Sequence, residues 1–265
     1  MADEEHMLKR VEVIPLKSPL VKEGDDVVDI VIKLLRSNRI RLKDNDVIVI
    51  ADKIIAISEG RVVNYEKAVP SEEAKILSEK YALEPGFVQV VLDESERVFG
   101  GVKRAILSIN NGILMANAGV DHKNAPVGYA ALWPKNPDDT ACRIRKEIEK
   151  RTGKRVGVII SDSRVNPMRR GTVGIAIGSS GIVPVIDCRG RTDLFGKSLK
   201  ITFINIVDDL ACMAHIVMGE TTEMIPIVLI RNANIVLDSE ATSEQVKIDE
   251  SECLIVRGIR EYFPP

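Results

Sequence analysis

The sequence has no apolar run that could cross a bilayer, no strong excess of either charge and no closely spaced cysteines. A transmembrane helix needs about 18 to 20 consecutive apolar residues, and the first residues, "MADEEHMLKRVEV", lack the apolar segment of a signal peptide. A formal net charge of −2 over 265 residues does not favour binding to nucleic acid or to a membrane surface. We therefore predict a cytoplasmic protein with no nucleic-acid or membrane partner, in which residues 1–7 are a disordered lead-in.

The cysteines and histidines do not have the spacing of metal or disulfide sites. Cys142, Cys188, Cys212 and Cys253 lie far apart with no C-x-x-C pair, which predicts reduced thiols and argues against a zinc site or a disulfide framework. We interpret His215, in an apolar helical stretch, as a satisfied core or interface histidine at odds of about four to one. Walker A, G-x-G-x-x-G, H-E-x-x-H and G-x-S-x-G motifs are also missing, so serine-hydrolase and zinc-protease functions have no support.

Several segments carry apolar residues at helical spacing. Residues 23–38 have such a stripe, and Asp25 or Asp26 can cap its first turn. Residues 138–153 form the clearest helical pattern, with Asp138 or Asp139 as the predicted cap and Gly153 as the predicted end. Further helices are predicted in residues 70–82, with Pro70 or Ser71 at the start, and in residues 86–99 and 208–219.

Runs of β-branched residues predict the strands. Residues 46–57 are an almost continuous run of this kind, typical of a strand buried on both faces, and an Asn-Asn-Gly sequence ending at Gly112 predicts a hairpin. Because hairpins and strand–helix units alternate irregularly, we predict a mixed α/β (α+β) fold with irregular mixed sheets. Residues 8–265 are expected to form one domain, or two closely packed subdomains. Other predicted strands are residues 11–16, 155–161, 199–207 and 225–233.

Acidic and small polar residues follow strands or glycine turns at three places. Asp121 lies in "NAGVDHKN", Asp162 and Ser163 in "SDS", and Glu220 in "MGETT". Each aspartate alone is a turn residue about two times in three. Together they form an oxygen-ligand set that suits Mg²⁺ or Mn²⁺.

Arg169 and Arg170 form an adjacent pair in the loop that follows Asp162. Paired arginines usually lie on a solvated face, but beside a metal site they would be natural clamps for phosphate or carboxylate. The combined pattern favours metal-assisted phosphate chemistry.

Several uncommon strings, in a fixed order, resemble the coenzyme F420-0:L-glutamate ligase family. They are "VEVIPL", "PLVKEGDD", "NAGVDHKN", "TGKRVGVIISDS", "RRGTVGIAIGSSG", "GRTDLFGKSL" and "MGE" followed by "IP", and the likeness extends from about Leu8 into the 230s. The resemblance implies a distinctive mixed α/β fold in an intertwined homodimer. It also implies a reaction in which GTP and two divalent ions, Mn²⁺ or Mg²⁺, support addition of L-glutamate to the deazaflavin coenzyme's lactyl-phosphate carboxylate through an acyl phosphate.

The resemblance also assigns roles to individual residues. Asp121, Asp162 and Glu220 match the family's metal-ligand positions, and Ser163 matches one that is usually threonine. Asp162 is thereby also a catalytic residue, and Arg169 and Arg170 would meet anionic substrate groups. The residues expected to contact nucleotide are Asn124, Lys53, Pro19, Leu20, Met218, Gly219 and Thr221.

Three segments depart from the family pattern, and all three would contact the nucleotide. Ala56 and Ile57 replace a usual Ser-Lys pair, "KSPLV" is one residue shorter than usual, and "TTEM" with Glu223 replaces a glycine-rich loop. On a strand, Lys53 would share a face with Ile57 and could substitute for the missing lysine. The departures leave two alternatives open besides the ligase: a divergent paralogue with another nucleotide or acceptor, and a non-catalytic ligand-binding protein.

Overall fold

A computed structural model describes residues 10–262, and the prediction for residues 1–7 lies outside this range. The described residues form twelve strands, seven α-helices and three short 3₁₀ turns. In chain order the strands and helices are β1 (Glu12–Leu16), α1 (Val27–Ser37), β2 (Val47–Ala51), α2 (Asp52–Ser58), β3 (Val62–Asn64), α3 (Glu72–Tyr81), α4 (Pro85–Glu94), β4 (Arg97–Val102), β5 (Ala105–Asn110), β6 (Ile113–Ala116), β7 (Tyr129–Ala131), α5 (Pro137–Thr152), β8 (Gly157–Val165), β9 (Thr172–Ser180), β10 (Val185–Asp187), β11 (Phe203–Asn205), α6 (Ile206–Met218), β12 (Ile227–Arg231) and α7 (Leu254–Tyr262).

A five-stranded mixed sheet with the order β1-β12-β2-β8-β9 forms the centre of the fold. Its β2–β8 pair is parallel, and its other pairs are antiparallel. Parallel pairing of β2 with β8 ends at Ala51 and Ser161. The residues that follow, Asp52 at the start of α2 and Asp162 within β8, therefore emerge at the same edge of the buried sheet.

Helices cover both faces of this sheet and divide its core in two. Alternate residues of β2, β8 and β12 face α1 and α5 on one side, while the residues between them face α6. Gly174 of β9 permits this close packing, because a Cβ there would lie 2.3 Å from the backbone oxygen of Ala211 in α6. The glycines that interrupt the apolar run of β9 thus serve the fit between helix and strand.

A second group of elements carries the remaining core and one wall of the site. The β4-β5-β6 meander, the β3–β7 pair, α3 and α4 pack around Phe87, Val91 and Ile106. Arg61 links this group to the centre, because its guanidinium donates to Glu94 at 2.6 Å and to the carbonyl of Trp133 at 2.9 Å. The mixed α/β fold with irregular sheets is confirmed.

Most predicted helices and the hairpin are confirmed. Asp26 caps α1 by accepting from Val28 N, Ser71 caps α3, and Gly153 ends α5 with a positive φ. The predicted hairpin is the β5–β6 pair, and Asn111 and Gly112 both have positive φ at its turn. The cap predicted for α5 was wrong: Asn136 occupies that position, and Asp138 accepts from Ser179 N and from the Ser243 hydroxyl instead.

The largest correction concerns residues 46–57, which are not one strand. The strand β2 ends at Ala51, and α2 begins at Asp52. A run of Ile and Val does not distinguish a buried strand from a buried helix by periodicity. Two smaller corrections concern where elements end: the helix predicted in residues 86–99 ends at Glu94, where β4 soon follows, and β8 continues past Ser161 to Val165.

The sequence also led to predictions about the cysteines and about membrane-spanning segments. All four cysteines are free thiols, and Cys212, on α6, is partly exposed. Within residues 10–262 no helix has both the length and the apolar character needed to span a membrane.

Candidate active site

A cavity of about 450 Å³ opens where the parallel pairing of β2 with β8 ends. We call Asp121, Asp162 and Ser163, which are half-buried, the floor of the cavity. The rim comprises residues 123–124 and 219–224, most of which are exposed. The other lining residues come from the loop after β1 and from α2 and α6.

The strand β8 positions Asp162 and Ser163 on opposite faces of the sheet. A register shift in the β8–β9 pairing lies between Ile160 and Ser161, and such bulges re-aim the side chains beside them. Asp162 Oδ2 accepts from Trp133 Nε1 at 2.8 Å, and its Oδ1 accepts from Ser163 N at 2.6 Å. Two donors therefore hold this carboxylate in one orientation.

Trp133 reaches Asp162 because of a glycine in the NAG turn before Asp121. Gly119 has a φ of +75°, and a Cβ at this position would lie 2.1 Å from Trp133 Nε1. Trp133 is only 2% exposed, so its N–H depends on the carboxylate as a partner. The glycine of "NAGVD" therefore supports the orientation of Asp162.

Asp121 is the second floor carboxylate, and hydrogen bonds hold both its backbone and its side chain. Its backbone N and O bond to Ala131, at 3.0 and 2.8 Å. The Lys53 ammonium donates to Asp121 Oδ2 at 2.7 Å, and the backbone N of Lys123 donates to Oδ1 at 2.7 Å. Lys53 thus enters the cavity from α2, next to a predicted metal ligand.

Glu220 projects from the rim and accepts several hydrogen bonds. Its Oε1 lies 2.9 Å from both His215 Nε2 and Thr172 Oγ1, and its Oε2 lies 2.9 Å from Lys123 Nζ. Burial opposes its ionisation, but the bonds from Lys123, His215, Ser163 and Thr172 outweigh burial and lower its pKa to about 2. Glu220 is therefore ionised at every physiological pH.

The floor has the opposite electrostatic character. Burial raises the pKa of Asp162 to about 6, against the bonds from Ser163 and Trp133 and with a contribution from the nearby Asp121 charge. Burial, and then the Asp162 charge, also raise the pKa of Asp52 well above its ordinary value. A group of carboxylates that repel one another in partial burial would be relieved by a cation.

The rim is held together by contacts between its two loops. Asn124 Nδ2 donates to the carbonyl of Thr221 at 3.0 Å, beside the Lys123–Glu220 contact. Glu223 folds back and accepts from Thr221 N at 2.8 Å and from its hydroxyl at 2.9 Å. Side chains of the rim thus satisfy one another at the cavity mouth.

Every predicted metal and nucleotide residue lines this cavity. The set comprises Asp121, Asp162, Ser163, Glu220, Asn124, Lys53, Pro19, Leu20, Met218, Gly219 and Thr221. Arg169 and Arg170 are exposed near the β8–β9 turn and are not among the lining residues. His215 is satisfied, as predicted, but by Glu220 at the cavity and not in a core.

The sequence interpretation missed four residues of the site. Asp52 directly follows a buried strand, which is the criterion that selected Asp162, but the wrong strand assignment concealed it. Lys123 lies inside the quoted "NAGVDHKN" string. Trp133 and Thr172 carried no signal, because only the tertiary fold brings them to Asp162 and Glu220.

The donor set fits hard divalent cations. Carboxylate and hydroxyl oxygens are the ligands that Mg²⁺ and Mn²⁺ prefer, and Asp121, Asp162, Ser163 and Glu220 supply them around one cavity. In the described part of the chain, no three His, Cys, Asp or Glu side chains already form a metal-binding group. Instead, the ammonium groups of Lys53 and Lys123 contact two of the carboxylates.

A mixed α/β fold with a carboxylate-lined cavity at a sheet edge is the architecture of a small-molecule enzyme, and comparison with known proteins specifies which one. The family model for F420-0:gamma-glutamyl ligases matches residues 15–232. The chain belongs to this family of amide-forming ligases.

Curated relatives agree with the family match over most of the chain. The coenzyme F420:L-glutamate ligase of Methanocaldococcus jannaschii is 48% identical over 228 residues, which are 86% of this chain and 90% of that protein. The proteins of the same name from Archaeoglobus fulgidus and Methanosarcina mazei are 38% and 35% identical, over 95% and 92% of this chain and 98% and 94% of their own lengths.

Proposed function

We propose that the protein is a GTP- and metal-dependent ligase that joins L-glutamate to the lactyl-phosphate carboxylate of coenzyme F420-0. Family membership and the names of the relatives support the glutamate-ligating activity. One structural observation carries the metal and nucleotide requirement: four predicted metal-ligand residues and seven predicted nucleotide-contact residues line a single cavity.

The chemistry requires activation of the acceptor, because a carboxylate is a poor acyl donor. A carboxylate oxygen of the acceptor attacks the γ-phosphorus of GTP, the bond to the β–γ bridging oxygen breaks, and GDP leaves. The amine of L-glutamate then attacks the carbonyl carbon of the acyl phosphate. An amide bond forms, inorganic phosphate leaves, and the amine loses a proton.

The chain's own residues would bind and orient these anions. Divalent ions held by Asp121, Asp162, Ser163 and Glu220 would neutralise charge on the transferring phosphoryl group and its leaving oxygen. Lys53 brings a further positive charge to the cavity, which would attract the phosphate oxygens of the nucleotide.

The helix α2 strengthens the case for Lys53 as the phosphate-contacting lysine. Ile57 lies where the family usually has lysine, and both Ile57 and Lys53 line the cavity. On a helix, residues four apart are neighbours on one face. The same-face argument made for a strand therefore holds for the helix that the structure contains.

We also propose a homodimer. The segment between β10 and β11, residues 188–202, which we call the arm, supports this proposal because it exposes large apolar side chains. Leu194 is 100% exposed, Phe195 86% and Ile201 86%. Large exposed apolar side chains grouped in one short segment are typical of association surfaces. Leu194→Ser combined with Phe195→Ser should convert a dimer to a monomer in analytical ultracentrifugation, and an unchanged mass would remove the arm from the interface.

Thermal-shift titration with GTP, GDP, ATP and ADP, each with and without Mn²⁺, tests the nucleotide and metal assignments. A ligand that binds the native state raises the melting temperature, so guanine nucleotides should raise it only with metal. Incubation with F420-0, L-glutamate, GTP and Mn²⁺ should then yield a product heavier by one glutamyl residue, detected by mass spectrometry.

The three departures in the nucleotide segments favour a second candidate, a paralogue that uses another nucleotide or acceptor. Metal binding with a shift by adenine and not guanine nucleotides would support that candidate. Absence of any metal or nucleotide shift would contradict both and leave the non-catalytic binding protein.

A further inference from the structure

The two lysines of the cavity form a continuous chain of contacts across the predicted metal ligands. Lys53 Nζ contacts Asp121 Oδ2 at 2.7 Å and the carbonyl oxygen of Lys123 at 2.9 Å. The Lys123 side chain then extends to Glu220 at 2.9 Å. Each ammonium thus neutralises a different carboxylate, one on the floor and one on the rim.

These ammonium groups occupy carboxylate oxygens that a divalent ion would need. Mg²⁺ binds oxygen at about 2.0–2.1 Å, and a dication at that distance would repel an ammonium in contact with the same carboxylate. A cation can therefore enter at Asp121 or Glu220 only as the lysine leaves.

Leaving is easy for both side chains. Lys123 is 53% exposed and its Glu220 partner 33%, while Lys53 and Asp121 are 23% and 31% exposed. Solvent reaches both ion pairs and screens them, the Lys123–Glu220 pair more than the Lys53–Asp121 pair, and lysine has a flexible four-carbon stem. Displacement therefore requires no rearrangement of the fold.

We propose that Lys123 and Lys53 are exchangeable counter-ions of this site: divalent ions displace both ammonium groups from the carboxylates, and the displaced amines then bind the phosphates of the nucleotide. This inference rests on the proposed function. The carboxylates of Asp121, Asp162 and Glu220 repel one another unless cations lie beside them. The arriving nucleotide brings anionic oxygens to the place where the ammonium groups are released, and these oxygens can bind them.

Exchange predicts that one substitution changes the affinities for Mn²⁺ and for GDP in opposite directions. Lys123→Met removes the competing ammonium, so Mn²⁺ titrated calorimetrically without nucleotide should bind about three- to fivefold more tightly. With saturating Mn²⁺, the same variant should bind GDP about five- to tenfold more weakly, because a phosphate contact is lost. Lys53→Met should shift both affinities in the same directions.

Two controls separate exchange from general effects. Lys123→Arg retains the positive charge and should stay close to wild type for both ligands. Lys103→Met, in the exposed β4–β5 turn, should change neither affinity, and the melting temperature of each variant checks that it is folded.

The outcomes distinguish this inference from the proposed function. If wild type binds Mn²⁺ and GDP but Lys123→Met binds Mn²⁺ no more tightly, the exchange is wrong and the function stands. If Lys123→Met binds Mn²⁺ more tightly but the wild-type protein does not bind guanine nucleotides, displacement of the ammonium groups by metal is supported. The proposed GTP dependence and the binding of the displaced lysines to nucleotide phosphate are then wrong. If wild type binds no Mn²⁺, both proposals fail.

Discussion

The floor and the rim of the cavity carry the same kind of side chain in opposite environments. Asp162 lies within a strand of the central sheet, is held by a buried tryptophan and has a pKa of about 6. Glu220 follows the glycine that ends α6, accepts bonds from the side chains of Lys123, His215 and Thr172 and has a pKa of about 2. Burial therefore dominates the pKa of Asp162 on the floor, whereas hydrogen-bond donors dominate the pKa of Glu220 on the rim.

The largest effect is expected on the floor, from Asp162→Asn. Loss of a charged ligand should weaken Mn²⁺ binding by more than the roughly 10- to 100-fold that loss of an outer-shell partner costs, and ligase turnover should disappear. The metal-free variant should melt close to the wild-type temperature at neutral pH, because removal of a half-buried charge offsets the placement of an amide NH2 opposite one of the two donors, Ser163 N or Trp133 Nε1. Calorimetry and thermal melting measure both.

Asp162→Ala provides the matched control for that variant. It removes the acceptor of the Trp133 N–H, and an unpaired buried donor costs about 1–3 kcal/mol. Asp162→Ala should therefore be less stable than Asp162→Asn. Wild-type Mn²⁺ affinity in Asp162→Asn would contradict the ligand assignment.

The second effect is a pH dependence that belongs to the floor alone. Because the pKa of Asp162 is raised to about 6 from 3.8, the folded state binds more protons between these values. Metal-free stability should fall as pH rises through this window, while Mn²⁺ affinity should fall as pH drops below about 6. Trp133→Phe, which removes a donor that lowers this pKa, should move the midpoint of Mn²⁺ binding to higher pH; a shift to lower pH would contradict this account.

A smaller effect is expected on the rim, from Glu220→Gln. The amide keeps one oxygen for His215 and Thr172, so Mn²⁺ affinity should fall by about tenfold. Since the pKa of Glu220 is about 2, the variant should keep the wild-type midpoint of Mn²⁺ binding near pH 6. If Glu220→Gln instead shifts the pH midpoint of Mn²⁺ binding, the titrating group is Glu220 on the rim and not Asp162 on the floor.

The smallest effect is expected outside both regions, from Arg169→Ala combined with Arg170→Ala. Both side chains are exposed, so stability should change by less than about 0.5 kcal/mol and Mn²⁺ affinity should stay the same. The prediction that this pair meets anionic substrate groups stays open, and a raised KM for F420-0 with an unchanged kcat would support it. An unchanged KM would assign the arginines to the solvated surface.

Helix caps, the Asn-Gly turn and strongly amphipathic segments were predictable because their signals are local. Asp26, Ser71 and Gly153 act on their own helix ends. The boundary between β2 and α2 was not predictable, because residues 47–57 are apolar at almost every position and the choice depends on which neighbours cover them. The extension of β8 beyond Ser161 likewise depends on its partner β9.

The sequence by itself determined the family and the mixed fold class, and it singled out the predicted metal and nucleotide residues that line the cavity, because those residues form uncommon strings in a fixed order. The tertiary structure alone decided how they act together. It brought Trp133 to Asp162 and Thr172 to Glu220, and it placed Lys123 against a residue 97 positions away. Burial raises the pKa of Asp162, and the bonds from Lys123 and Thr172, which are distant in sequence, help to lower that of Glu220. Both effects arise from the packed chain and from no local pattern.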